Sequence, residues 1–340
     1  MIKTITADGN VEYEAIAGLA GRGGFGSDAG VGKAVGEIIA DVRERGDEAV
    51  REYGLKFDGF APDRLTLTRD DMKAGYDAAP KDFTDAILHA AENIRAYHEK
   101  QLQGGYEEKR GDGTVIGQAV RGMSRVGLYV PGGTAAYPST VLMNAIPAKL
   151  AGVGELVMVT PPGKSAGAPG LSVEMLAAAF VAGVDRILLA GGAQAVAALA
   201  FGTGTFPKVD KIVGPGNVYV AAAKRMLYGL VDIDMIAGPS EILIIADGSA
   251  LPAYVAADML SQAEHDVMAA SILLTTSADL AERAALEIES QLKDLSRSAI
   301  ARESIERNGL IALCRSESEM VKVANYAAPE HLEILTDDPL

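Results

Sequence analysis

The chain has 340 residues, 49% of them hydrophobic, enough for about two packed globular domains. Its 31 basic residues against 46 acidic ones leave a net charge of -15, which repels phosphate backbones and anionic lipid and argues against nucleic acid or a membrane as partner. The single cysteine, Cys314 in GLIALC (309–314), excludes an intrachain disulfide and a thiolate metal cluster; it reads as a small buried hydrophobe in a reducing compartment.

The opening MIKTITADGNVEYEA lacks the continuous apolar core of a signal peptide, so a cytoplasmic location is expected. GRGGFG (21–26) matches G-x-G-x-x-G letter for letter. The preceding EYEAIAGLA has helical and not strand character, so the segment is read as a loop and not as a dinucleotide turn. GVGKA and PPGKS resemble parts of a phosphate loop, but Ser27 and Met158 stand where the required first glycine would be. Val31, Val35, Ile38, Ile39 and Val42 fall at helical spacing; Gly46-Asp47 breaks the pattern, and a second helix runs through Val50 and Tyr53. Phe83, Ile87, Ala90, Ile94 and Tyr97 mark another amphipathic helix, with His89 and His98 as surface or capping residues. A hairpin is expected around 113–121.

From residue 125 the texture changes to short apolar runs, VGLYV, ELVMVT, RILLA and KIVG, each followed by a glycine-rich turn and a helical stretch. Parallel strands need crossover helices and are buried on both faces, so this alternation predicts a three-layer α/β domain. EILIIAD (241–247) starts a second series, with ASILLTT, GLIALC and HLEIL as later strands and helices near 252–265, 278–294 and 316–327. The expected fold class is α/β: two three-layer Rossmann-like domains facing a cleft, with a helical N-terminal segment. Residues 1–25 are read as an extension or loop, 26–128 with 241–340 as a discontinuous domain, and 129–240 as an inserted domain. Two uncharged stretches, 126–148 and 187–206, are broken by glycine or proline and read as buried α/β units, not membrane spans.

Three turns, YVPGGTAAYPS (129–139), LAGGAQAVAALAFGTGT (189–205) and IVGPGNVYVAAAKR (212–225), have the strand-then-helix context in which open α/β sheets expose backbone N–H groups to ligands, and a nucleotide could use all three. In QAEH (262–265), i,i+3 spacing puts Gln262 and His265 on one helix face, where a carbonyl oxygen and an imidazole nitrogen could reach one divalent ion. In PEH (329–331), either Glu330 or His331 could be a general base. AGPSE (237–241) adds the Ser240 hydroxyl at the junction of the two series.

Taken in order, RVGLYVPGGTAAYPSTVLMNAIPAKLAGV, GGAQAVAALAFGT, VGPGNVYVAAAKR, AGPSEILIIAD, DMLSQAEHD and APEHLEI resemble histidinol dehydrogenase over about residues 35–336. The resemblance implies a zinc-dependent homodimer that oxidises L-histidinol to L-histidine through the aldehyde, with two hydride transfers to NAD. It implies that Tyr129, Gln194 and Asn217 contact NAD and that Ser240 touches substrate. Gln262 and His265 would be zinc ligands that also meet substrate, and Glu330 and His331 the acid/base pair, His331 also facing substrate.

That family's chain continues beyond TDDPL (336–340), with an aspartate and a histidine that complete the zinc site and a glutamate that recognises substrate. The expectation is therefore that this 340-residue form binds zinc weakly or not at all, is impaired or inactive as a dehydrogenase, and dimerises less firmly. Oxidation of another polar alcohol, such as a sulfonated diol, or a noncatalytic remnant are the alternative readings.

Overall fold

A computed structural model describes residues 1–20, 29–59, 61–132, 138–163, 170–236 and 238–339. The GRGGFG segment lies outside these, as do the middle of the 129–139 turn and the end of PPGKS. The chain divides into two compact α/β units, Met1–Ser27 with Ala237–Leu340, and Asp28–Ile236.

The Asp28–Ile236 unit is built on a six-stranded sheet. Its order is Thr66–Leu67, Arg186–Leu189, Glu155–Thr160, Arg125–Tyr129, Lys211–Val213, Asp232–Ile233, parallel except for the first strand. The five parallel strands therefore run 3-2-1-4-5 in chain order, the doubly wound arrangement, with the order reversing between Arg125–Tyr129 and Lys211–Val213. Helices cover both faces, as strands buried on two sides require. Val35, Ile38, Val42, Ala49 and Val50, from Ala29–Arg45 and Asp47–Asp58, pack with Val157, Leu188 and helices Gly192–Phe201 and Val218–Leu227. On the other face Met72, Ile87, Leu142, Ile146 and Leu176 pack on Val126, Leu128, Met158 and Ile187. An antiparallel hairpin pairs Tyr106–Lys109 with Val115–Gln118.

The second unit has a five-stranded, wholly parallel sheet in the order Lys3–Thr6, Gly309–Leu313, Ala270–Thr275, Glu241–Ala246, His331–Leu335. From Glu241 onward this is again a 3-2-1-4 order. Helices Pro252–Ala263, Ala278–Gln291 and Ser298–Asn308 cover one face, Val11–Ala20 and Glu317–Ala327 the other. Among the described residues no helix is long and apolar enough to cross a membrane.

The domain boundaries differ from those expected. Residues 1–25 are no loose extension: Lys3–Thr6 is the edge strand of the second sheet, in register with Leu310–Leu313, and Val11–Ala20 packs on that sheet through Ile16. The helices from 29 to 98 belong with the first sheet and not with residues 241–340, because their apolar faces complete its two cores. Periodicity told correctly that these helices need a sheet; it carries no information on which one.

Candidate active site

In the Asp28–Ile236 unit the carboxyl ends of the parallel strands open onto a cavity of about 880 Å³. Tyr129, Pro131 and Gly132 follow the first strand, Pro161 to Gly163 the second, Gly192 to Gln194 the third, and Asn217 and Tyr219 the fourth, so the cavity spans the switch point where doubly wound sheets bind ligands. Tyr129 is 3% exposed and its hydroxyl oxygen accepts the Gly192 N–H at 3.0 Å, which fixes the third turn against the first. Burial pushes its phenol up to about 12, so the O–H stays available to donate. Asn217 Oδ1 accepts the N–H groups of Tyr219 and Val220, both at 3.1 Å, capping Val218–Leu227 and presenting that helix N-terminus to the cavity. The GPG turn before it is clamped: the Gly214 N–H donates to Asp234 Oδ2 at 2.7 Å, and buried Lys224, paired with Asp234, donates to the Gly214 carbonyl at 3.0 Å.

Gln194 is 1% exposed, and its Oε1 is buried with no hydrogen-bond partner among the described residues. Asp58, at the end of Asp47–Asp58, shares this condition at Oδ2 and lines the same cavity. Sequence reading passed over Asp58. Its signal was an acid in the last turn of a helix, where the macrodipole disfavours negative charge. The GTGT end of the 189–205 segment does not join this site. It lies beyond the C-terminus of Gly192–Phe201, where Asp47 accepts the hydroxyls of Thr203 and Thr205.

In the other unit the candidate residues meet at the amino ends of two neighbouring strands. His331 opens His331–Leu335 and pairs in register with Ile242; its Nδ1 lies 3.1 Å from the Glu241 carbonyl oxygen and 3.2 Å from Gln262 Oε1. Both neighbours are acceptors, so Nδ1 carries a proton, and in the neutral ring the lone pair falls on Nε2, a tautomer fixed by the partners of the other nitrogen. Gln262 is buried near the end of Pro252–Ala263, which holds its carboxamide in place. Ser240 is half-buried immediately before Glu241, its carbonyl accepting the Ala270 N–H at 3.0 Å. Glu333, on the strand face of His331, and Asp258, one turn before Gln262, both have carboxyl pKa values raised by burial.

One placement differs from the reading of the letters. The helix stops at Ala263, so His265 is exposed in the following turn and not on a helical face with Gln262. Its N–H donates to the Gln262 carbonyl at 3.2 Å, which keeps the two residues adjacent. Among the described residues no group of three or more His, Cys, Asp or Glu is placed to hold a metal. Glu330 is exposed at the strand entry, reached through Ala328, whose φ of 45° ends Glu317–Ala327 in the left-handed region. A β-carbon there is strained, so Ala328→Gly is expected to stabilise the chain by about 1 kcal/mol in urea unfolding. An unchanged or lower midpoint would show that the turn is relaxed. His89 and His98 have local hydrogen-bond partners, Asn93 and Gln101, and Cys314 is buried with its thiol pushed up to about 11, chiefly by burial.

Two doubly wound units, one with an open cavity over its switch point and the other with a histidine locked in one tautomer, place the chain among Rossmann-like α/β enzymes. The family model for histidinol dehydrogenase matches residues 26–340. The chain is 54% identical over 303 residues to the histidinol dehydrogenase of Streptococcus mutans, covering 89% of this chain and 70% of that protein. It is 53% identical over 311 residues to that of Caldanaerobacter subterraneus, covering 91% and 71%. The crystal structure of histidinol dehydrogenase from Elizabethkingia anophelis matches with a TM-score of 0.89 at 35% identity, covering 98% of this chain and 75% of that one. The chain belongs to the histidinol dehydrogenase family.

Proposed function

We propose that the chain oxidises L-histidinol to L-histidine through histidinal, the last step of histidine biosynthesis, with NAD as oxidant, in the cytoplasm and as a homodimer. The observation that carries the chemistry is the hydrogen bonding of His331: with Nδ1–H held by Glu241 and Gln262, Nε2 is left as a base for an alcohol proton. NAD, when bound, accepts a hydride at each of the two oxidation steps. Around it, Tyr129 and Asn217 hold the turns that shape the cavity, and Gln194 offers a carbonyl, unpaired among the described residues, to an amide or hydroxyl donor. In the first step His331 Nε2 takes the hydroxyl proton as the carbinol carbon is oxidised. In the second, the Glu330 carboxylate removes a proton from water attacking the aldehyde, and the hydrate is oxidised to the acid. Ser240, beside Glu241, is assigned a hydrogen bond to the substrate's polar end.

Zinc chemistry would be Lewis-acid polarisation of the substrate oxygen. Gln262 and His265 supply two donors of the right types, while a zinc ion takes three or four protein ligands. These residues alone do not make a fitting site, and no step above passes through the metal. Zinc analysis of the purified chain is expected to give substoichiometric metal, lost further in His265→Ala. Formation of NADH from histidinol, compared with a panel of other polar alcohols, tests the reaction. Reduction of NAD by a polyol but not by histidinol would overturn the proposed substrate, and stoichiometric zinc would overturn the donor count.

A further inference from the structure

We propose that Asp58 selects the dinucleotide that this chain binds, accepting the ribose hydroxyls of adenosine and excluding a 2′-phosphate. The inference rests on reading the 880 Å³ cavity as the NAD site. Two acceptor atoms in its wall, Asp58 Oδ2 and Gln194 Oε1, are buried with no partner among the described residues. A buried acceptor without a donor is costly, so the occupant that completes this wall brings hydrogen-bond donors. Ribose hydroxyls and a carboxamide supply them; a phosphate supplies none, and beside a carboxylate it adds like-charge repulsion.

The position of Asp58 indicates which ribose it meets. Its helix packs on Gly192–Phe201, which follows the third parallel strand, so Asp58 stands on the flank of the switch point where doubly wound folds place adenosine. An acid commonly reads the ribose there, but from the end of a sheet strand; here it arrives from a helix outside the sheet. Among the described residues no cation pairs with it: Lys56, also in the cavity wall, lies 5.4 Å from the centre of the Phe57 ring and 5.9 Å from that of Tyr53. Burial alone raises the Asp58 pKa. The stability given by its protonated form is full below the ordinary aspartate value and is lost as pH rises through the raised one, so ionising this carboxyl in the ligand-free chain costs stability.

Calorimetric titration of the 340-residue chain with NAD and with NADP, for the native sequence and for Asp58→Asn and Asp58→Ser, decides the matter. The native chain is expected to prefer NAD. A charge-assisted hydrogen bond is worth about ten-fold in affinity or more, so both variants should lose roughly that factor for NAD while holding or gaining NADP, bringing the ratio toward one. The ligand-free thermal midpoint of Asp58→Asn should rise at neutral pH, and the gain should shrink as pH falls toward the ordinary aspartate range. NAD binding with an unchanged NAD-to-NADP ratio in both variants overturns the role of Asp58 and leaves the cavity assignment standing. Failure of the native chain to bind either dinucleotide overturns the cavity assignment and Asp58 with it.

Discussion

His331→Asn is expected to lower the rate of NADH formation from histidinol by about 10²- to 10⁴-fold, the usual worth of a positioned proton acceptor, with the thermal midpoint nearly unchanged. The two effects separate because the imidazole does two things through two nitrogens. Nδ1–H donates to the Glu241 carbonyl and Gln262 Oε1, and the asparagine Nδ2 occupies nearly the same place and can keep that donation. Nε2, the base, has no counterpart in asparagine. His331 is exposed at the start of its strand, so its packing contribution is small. Gln262→Ala is expected to cost less, about ten-fold, since the Glu241 carbonyl alone still selects the Nδ1–H tautomer, as removal of such a supporting partner typically does. Activity in His331→Asn close to that of the native chain would move the base elsewhere, with Glu330 the next residue to substitute.

The letters reported the strands well because a parallel strand buried on both faces is a short uninterrupted apolar run. ELVMVT and HLEIL coincide with Glu155–Thr160 and His331–Leu335, and the other strands read from 125 onward agree within a residue. They failed where polar groups occupy core positions. Helix Ser298–Asn308 escaped because two of its buried residues are Ser304 and Asn308, whose side chains donate to the Ala269 and Val267 carbonyls, so its apolar period is broken. Arg69–Ala78 escaped despite the Thr68–Asp71 capping box, a start signal read only when an apolar stripe follows it; of its residues Met72 is the one large buried side chain.

For the site, the resemblance named Gln262 and His331, and the structure puts them in hydrogen-bond contact. The backbone carbonyl of Glu241 that completes the pair has no residue signature at all. Nor does its location: doubly wound sheets bind ligands at the carboxyl ends of their strands, as the cavity over Tyr129 and Asn217 does, whereas His331 and Glu241 stand at the amino ends of theirs. Motif order along a chain does not say at which edge of a sheet a motif comes to rest.

Gly214→Ala is expected to destabilise the chain by about 3 kcal/mol or more and to abolish measurable NAD binding, the larger of the two stability effects that follow from glycine conformation here. Gly214 sits at φ 107°, and a β-carbon on it would run into the carbonyl oxygen of Tyr129 at the adjoining strand end. Neither neighbour can yield. Tyr129 is fixed by its own strand and by its hydroxyl bond to Gly192, and Gly214 is held on both sides by the Asp234 carboxylate and the Lys224 ammonium. The backbone must therefore shift at the switch point, carrying Asn217 and the capped helix away from the cavity. Gly229→Ala supplies the control: Gly229 has φ 97°, but a β-carbon there meets nothing within 4 Å, so only the conformational cost of about 1–2 kcal/mol applies. Urea unfolding of the two variants side by side separates strain from collision. Equal losses would mean that the Tyr129 and Gly214 turns can part without disturbing the cavity, and that the close approach of the two strand ends is not what shapes it.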